Sequence, residues 1–196
     1  MGYEIKIDAW LEDAATLIRG IDVNSVADAA EGLLRVRDAN GTMFLAGNGG
    51  SASTANHLAL DLQKAGISPK GVRPKVISLS ENIGLITAWG NDESFDVVFE
   101  KQLEALAEEG DSLLIISVSG SSPNLVRAVS KANDVGMLTV GFLGKDGGAC
   151  RDLLDCPIIL PSWDYGWVES GHVVLHHILT NIFHESDHSQ VGLPKT

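Results

Sequence analysis

Thr42-Met43-Phe44-Leu45-Ala46-Gly47-Asn48-Gly49-Gly50-Ser51 reads as an apolar strand running into a glycine-rich turn, with a helical pattern over 52–65 behind it. Leu113-Leu114-Ile115-Ile116-Ser117-Val118-Ser119-Gly120-Ser121-Ser122 follows the same plan, with a helical pattern over 123–134. Glycine lets the backbone approach an anion closely, and the following helix aims free N–H groups and a positive dipole end at it. Serine hydroxyls add donors without adding charge. Two such cradles predict an uncharged, hydrogen-bonding site for a phosphorylated small molecule.

Working outward, strand candidates at 42–46, 75–79, 112–116, 137–142 and 157–160 alternate with helical patterns near 52–65, 94–107 and 123–134, and a shorter one over 82–88. Short apolar strands separated by helices predict an α/β three-layer sandwich, a five-stranded parallel sheet flanked by helices. In such sheets ligands bind outside the carboxyl ends of the strands, where both loops would lie. Ile5, Trp10, Ala14, Leu17 and Ile18 mark an amphipathic helix over 5–19. A second helix, carrying Val26, Ala29, Ala30, Leu33 and Leu34, is predicted to be capped by Asn24 or Ser25. The final long helix covers 167–185. The expected organisation is one domain over 1–186, with an N-terminal helical pair in 1–40 and the α/β core and last helix in 41–186, followed by a tail over 187–196.

Bulk composition narrows the function classes. A length of 196 residues, 44% hydrophobic and 20% charged, is that of a globular domain with a substantial core. A formal net charge of −12 argues against non-specific nucleic-acid binding, which needs clustered Lys and Arg. No apolar run approaches membrane-spanning length, and Met1-Gly2-Tyr3-Glu4-Ile5-Lys6 lacks a signal pattern. Cys150 and Cys156 have neither redox-motif nor zinc-ribbon spacing, so they read as free thiols. A soluble cytoplasmic protein is expected. Residues 47–52 also satisfy the relaxed G-x-G-x-x-[GA] dinucleotide pattern, but that fingerprint needs an acidic residue about 20 positions on. Here the next strand ends near Ser78–Ser80, with Glu81 beyond it, and a dinucleotide would leave the serine loop unexplained.

In order, Gly47-Asn48-Gly49-Gly50-Ser51, His57, Gly90-Asn91-Asp92, the Ser117–Ser122 loop and Gly144-Lys145-Asp146-Gly147-Gly148 resemble the sugar isomerase (SIS) family, in its phosphoheptose isomerase branch. The likeness runs from the N-terminal helices to about residue 185. It implies a homotetramer with active sites at subunit interfaces. It also implies aldose–ketose isomerisation of sedoheptulose 7-phosphate to D-glycero-D-manno-heptose 7-phosphate through an enediol. On the matching positions, Asn48, Gly49, Gly50 and Ser51 would contact sugar or phosphate, and Asn91 and Asp92 would face the substrate. Ser117, Ser119 and Ser122 would hold the phosphate, with Val118 lending backbone. His57, Asp61, Glu169 and His177 stand where the family can bind zinc, and another divalent metal would suit the same donors. Asp61 and Glu169 would also touch substrate. Asp61 would be the general base and His177 the acid, residue types that can be tuned near neutral pH.

Helical spacing supports part of this set. His57 and Asp61, at i and i+4, share a helix face. Glu169 shares a face with His172 or His176, whereas His177 is rotated from it by about 80°, so the choice of His177 rests on the resemblance. His172 and His176 read as core-facing or interfacial. The chain departs from the family at three points. Asp61 is one methylene shorter than the family glutamate, and Glu169 adds a charge where the family has glutamine. Pro161-Ser162-Trp163-Asp164-Tyr165-Gly166-Trp167 lacks an Asp-Arg pair and adds aromatics, which predicts a reshaped pocket. Two alternatives follow: an isomerase for a different sugar phosphate, and a non-catalytic, replication-initiator-associating adaptor of the same fold. The retention of His57, an acid at 61 and His177 speaks against the adaptor.

Overall fold

Strands buried on both faces can pair only inside a sheet that is covered on both sides, and this chain builds one. The computed structural model describes residues 2–64, 68 and 71–188. Strands β1 (Thr42–Gly47), β2 (Lys75–Ser78), β3 (Ser112–Ser117), β4 (Leu138–Gly144) and β5 (Cys156–Leu160) form one parallel sheet in the order β2-β1-β3-β4-β5. β3 is buried along its whole length, while the edge strand β2 alternates exposed Lys75 and Ile77 with buried Val76 and Ser78. The chain leaves β1 for β2 on one side, and β3 returns on the other. That reversal sets the loops after β1 and β3 side by side, with Gly47 in register with Ile116, at the switch point where open α/β sheets bind ligands.

The helices are α1 (Tyr3–Arg19), α2 (Val23–Asp38), α3 (Gly50–Lys64), α4 (Ile83–Asp92), α5 (Glu100–Leu106), α6 (Pro123–Val135) and α7 (Tyr165–His188), with 3₁₀ turns at Phe95–Val97 and Gly148–Leu153. On one face Leu33 of α2, Leu58 and Leu62 of α3, and Leu175 and Phe183 of α7 meet Leu45, Leu114 and Val140. On the other face Leu103 of α5 and Leu125 and Val129 of α6 meet Phe44, Leu113, Ile115 and Leu143. Alternate strand residues therefore feed opposite cores, each buried leucine contributing about 2 kcal/mol. The outer helices differ. Ala14 is the one buried residue of α1, and α4 buries none, so Tyr3, Ile5, Ile7, Leu11 and Ile83 stand exposed.

The strands match their expected positions to within two residues, and the helix ends shift more. Asp22, not Asn24 or Ser25, caps α2. Its carboxylate accepts from the Asn24 N–H at 3.0 Å and the Ser25 hydroxyl at 2.7 Å, so the helix starts at Val23, just ahead of both expected caps. The pattern over 94–107 breaks in two because Ser94 Oγ accepts the Asp96 N–H and closes a tight 3₁₀ turn first. α7 runs on to His188, past the expected tail boundary, and residues 189–196 of that tail lie outside the described residues. Among the described residues no helix is long and apolar enough to cross a membrane.

Candidate active site

The first loop turns at Gly49, whose φ of 56° is the left-handed region that glycine enters without penalty. Gly50 then opens α3, with the Ala52 and Ser53 N–H groups bonded back to the carbonyls of Asn48 and Gly49. The second loop is braced from inside: Ser117 Oγ accepts the Gly120 N–H at 3.0 Å. Ser122 stands at the N-terminus of α6, Pro123 follows it, and its hydroxyl makes no capping bond. That hydroxyl is therefore available to a ligand. The two loops are tied together by a reciprocal amide pair. Asn48 Nδ2 donates to Asn124 Oδ1 at 3.0 Å, and Asn124 Nδ2 donates to Asn48 Oδ1 at 2.9 Å. Between them lies a cavity of about 150 Å³ lined by Asn48, Ser51, Ser117, Val118, Ser119, Ser122, Tyr165 and Glu169. Lys145, at φ 53°, lays its ammonium over Trp163 at 4.8 Å and Tyr165 at 5.3 Å. Tyr165 thus walls the cavity, and together with Trp163 it holds a cation beside it.

A second cluster lies two turns further along α3 and α7. Asp61 Oδ2 is 2.8 Å from His176 Nε2, 3.5 Å from His57 Nε2 and 4.0 Å from His177 Nδ1. The rings pack on one another: His176 stacks on His177 with centroids 4.2 Å apart, and His57 meets His176 edge-on at 4.4 Å. His176 is fully buried, His57 and His177 are exposed, and Asp61 lies between. Burial pushes the His176 pKa down, the neighbouring imidazoles push it further, and the Asp61 hydrogen bond only partly opposes them. The balance favours the neutral ring. Its Nδ1 is buried with no hydrogen-bond partner, so its one polar contact points into the cluster. Donor atoms of His57, Asp61 and His176 all lie within 4.8 Å of one another. Two imidazoles and a carboxylate are a donor set that fits zinc.

His172 does something else. It is buried 6.2 Å from the Phe142 ring, and neither ring nitrogen meets hydrogen-bond geometry. Burial pushes its pKa down to about 4, offset only in part by the Leu143 backbone. The unfolded chain, with a histidine near 6.5, binds the proton first. This contribution to stability is therefore complete above about pH 6.5 and is lost as pH falls toward 4, on the order of 3 kcal/mol. His172→Leu should flatten that acid limb in denaturant melts at pH 7, 6, 5 and 4. An unchanged limb would assign the acid sensitivity to other groups.

The structure gathers the predicted residues into two groups. Asn48, Ser51, Ser117, Val118, Ser119, Ser122 and Glu169 line one cavity, with Gly49 and Gly50 in the turn above it. His57, Asp61 and His177 meet in the other group, joined by His176, for which a core or interface position is expected from sequence. Glu169 is not in the imidazole cluster. It faces Gly50, where an added Cβ would sit 3.1 Å from its Oε1. Asn91 and Asp92 end α4, exposed, with Asn91 Nδ2 donating to Asp92 Oδ1 at 2.9 Å, and neither lines the cavity. No local spacing marks His176 as a partner of Asp61, because the two residues lie on different helices.

Residues 9–144 match the family described as SIS domain. The chain is 40% identical over 161 residues to a phosphoheptose isomerase of Trichlorobacter lovleyi, covering 82% of this chain and 81% of that one. It is 35% identical to the phosphoheptose isomerase of Clostridium acetobutylicum, covering 91% of each. Among solved structures, a phosphoheptose isomerase from Francisella tularensis superposes with a TM-score of 0.87 at 28% identity, covering 94% of this chain and 100% of that one.

Proposed function

The chain belongs to the SIS domain family and is a phosphosugar isomerase, and on that footing we propose that it interconverts sedoheptulose 7-phosphate and D-glycero-D-manno-heptose 7-phosphate. One observation carries the reading: a serine-lined cavity and a carboxylate ringed by imidazoles lie along the same pair of helices. The cavity suits the phosphate. The carboxylate suits proton transfer at the other end of the sugar, and the two turns of helix between them leave room for the carbon chain.

In this reading Ser119, Ser122 and the Val118 backbone bind the phosphate, with Ser117 bracing their loop, while Asn48, Gly49, Gly50 and Ser51 close on it from α3. Glu169 meets sugar hydroxyls. Asp61 takes a proton from C1, beside the C2 carbonyl, as protonated His177 gives one to O2. The enediol then collapses: His177 takes the proton from O1 and Asp61 returns its own to C2, leaving an aldehyde at C1. Both residues end in their starting states. Asp61 Oδ2 is occupied by the imidazoles, so Oδ1 is the oxygen that meets the carbon-bound proton. Zinc, or another divalent cation held at the His57–Asp61 cluster, would polarise the carbonyl oxygen during this transfer.

The exposed apolar residues of α1 and α4 support a homotetramer, in which Asn91 and Asp92 approach the substrate across a subunit interface. The free thiols of Cys150 and Cys156 suit a reducing cytoplasm, where we assign the enzyme. The test is turnover of five-, six- and seven-carbon sugar phosphates by the purified zinc-loaded protein, with its mass in solution measured alongside. Sedoheptulose 7-phosphate should give the highest kcat/KM. Preference for a shorter sugar would overturn the substrate, and turnover of none would overturn the reaction.

A further inference from the structure

The serine-lined cavity offers hydroxyls, an amide and backbone; no Lys or Arg lines it, and Glu169 adds a carboxylate. A phosphate dianion entering it has no counter-ion unless a cation stands nearby, and an unpaired charge is costly away from water. Lys145 stands there. Its loop packs on the serine loop, since a Cβ on Gly144 would lie 2.7 Å from the Val118 carbonyl oxygen and one on Gly120 would collide with the Gly147 carbonyl. Lys145 donates its N–H to the Ser162 carbonyl at 3.0 Å. Its φ of 53° is a conformation that favours Gly, Asn and Asp over lysine. Such strain persists where the surroundings impose it, and it gathers at ligand clamps. The ammonium lies 4.8 Å from the Trp163 ring centre and 5.3 Å from that of Tyr165, and Tyr165 also lines the cavity. Among the described residues no carboxylate pairs with this ammonium. The acids beside it in sequence are engaged by backbone: Asp146 Oδ1 accepts the Gly148 N–H at 3.1 Å, and Asp164 Oδ1 accepts the Trp167 N–H at 3.0 Å.

We propose that Lys145 is the counter-ion of the bound phosphate: it rests on Trp163 and Tyr165 in the free protein and bonds a phosphate oxygen when a phosphomonoester fills the serine cavity. Both rings are exposed, and a cation over exposed rings is held more weakly than one bonded to a phosphate oxygen. The ammonium therefore gives up the first contact for the second. A carboxylate in the place of the rings would hold the cation too, but it would compete with the phosphate and repel it. Trp163 and Tyr165 hold the charge ready without either effect. The proposal rests on the serine cavity being the phosphate end of the substrate, and it is independent of which sugar reacts and how.

The probe is sorbitol 6-phosphate, a phosphomonoester with no carbonyl to isomerise, titrated by calorimetry. Lys145→Met keeps most of the aliphatic stem and loses the charge. It should weaken binding at least about tenfold, whereas Lys145→Arg, which keeps the charge, should stay within about threefold of the parent. Salt separates lost charge from a damaged loop: parental affinity should fall as salt is raised to about 0.5 M, and that of Lys145→Met should fall less. Parental affinity in Lys145→Met, an arginine variant as weak as the methionine one, or parental binding indifferent to salt each overturns the proposal. The last does so even if both variants fold poorly. A parent that binds none of the ester at millimolar concentration overturns the proposal together with the phosphate reading of the cavity. Turnover of sugar phosphates, assayed separately, judges the isomerase reading on its own: its absence beside salt-sensitive, Lys145-dependent binding would leave Lys145 as the counter-ion.

Discussion

Asp61→Asn should lower kcat for heptose phosphate isomerisation on the order of 1,000-fold, within the range a general base supplies, and change KM only a few-fold. The side chains are nearly the same shape, and the amide oxygen can still accept from His176 Nε2, which now holds Asp61 at 2.8 Å. The fold and the imidazole cluster should therefore survive, and kcat is compared at saturating zinc so that weaker metal binding by the variant does not enter. The variant loses the ability to accept a proton from carbon. Exchange of the C1 proton with deuterium from the solvent, followed by NMR, separates this from a binding defect: the parent should exchange it and the variant should not. A variant that retains a tenth of the parental kcat would remove Asp61 from the role of base.

Gly120→Ala should destabilise the protein by about 4 kcal/mol and abolish saturable phosphate-ester binding, whereas Gly49→Ala should cost about 1 kcal/mol. Both glycines have nearly the same backbone conformation, φ 58° and 56°, so the left-handed penalty on alanine is common to both. The difference is room. A Cβ at Gly49 meets nothing within 4 Å, but one at Gly120 collides with the Gly147 carbonyl. That carbonyl is backbone and cannot rotate away, so the Ser117–Ser122 loop must lift from the Gly144–Gly148 loop, adding overpacking strain to the conformational cost. The Gly120 N–H bond to Ser117 Oγ is expected to break with it. Thermal melts and titration with a sugar phosphate measure both effects. Equal destabilisation of the two variants would show that conformation, not the collision, dominates.

Much of this architecture is legible in the chain because it is set locally. The strands are continuous apolar runs, and glycine and serine follow two of them, so a parallel sheet with two glycine- and serine-rich loops at its carboxyl edge can be read directly. His57 and Asp61 lie four residues apart on one helix and share a face wherever that helix packs. Capping was less legible, since Asp22, Asn24 and Ser25 all have capping side chains and only the path of the chain into α2 selects among them.

The imidazole cluster was not legible in the same way. His176 and His177 are neighbours in sequence, and helical periodicity places them about 100° apart without saying which one points at Asp61. That choice depends on how α7 is rotated and how far it slides along α3. The packing of Leu175, Leu179 and Phe183 into the core fixes both, turning His176 inward to Asp61 and leaving His177 at the rim. The same register carries Glu169 to the serine cavity and away from the imidazoles. Local sequence thus specifies the two loops, the sheet and the acid on α3. The partners of that acid, and the separation of the serine-lined cavity from the imidazole cluster, arise from contacts between segments more than a hundred residues apart.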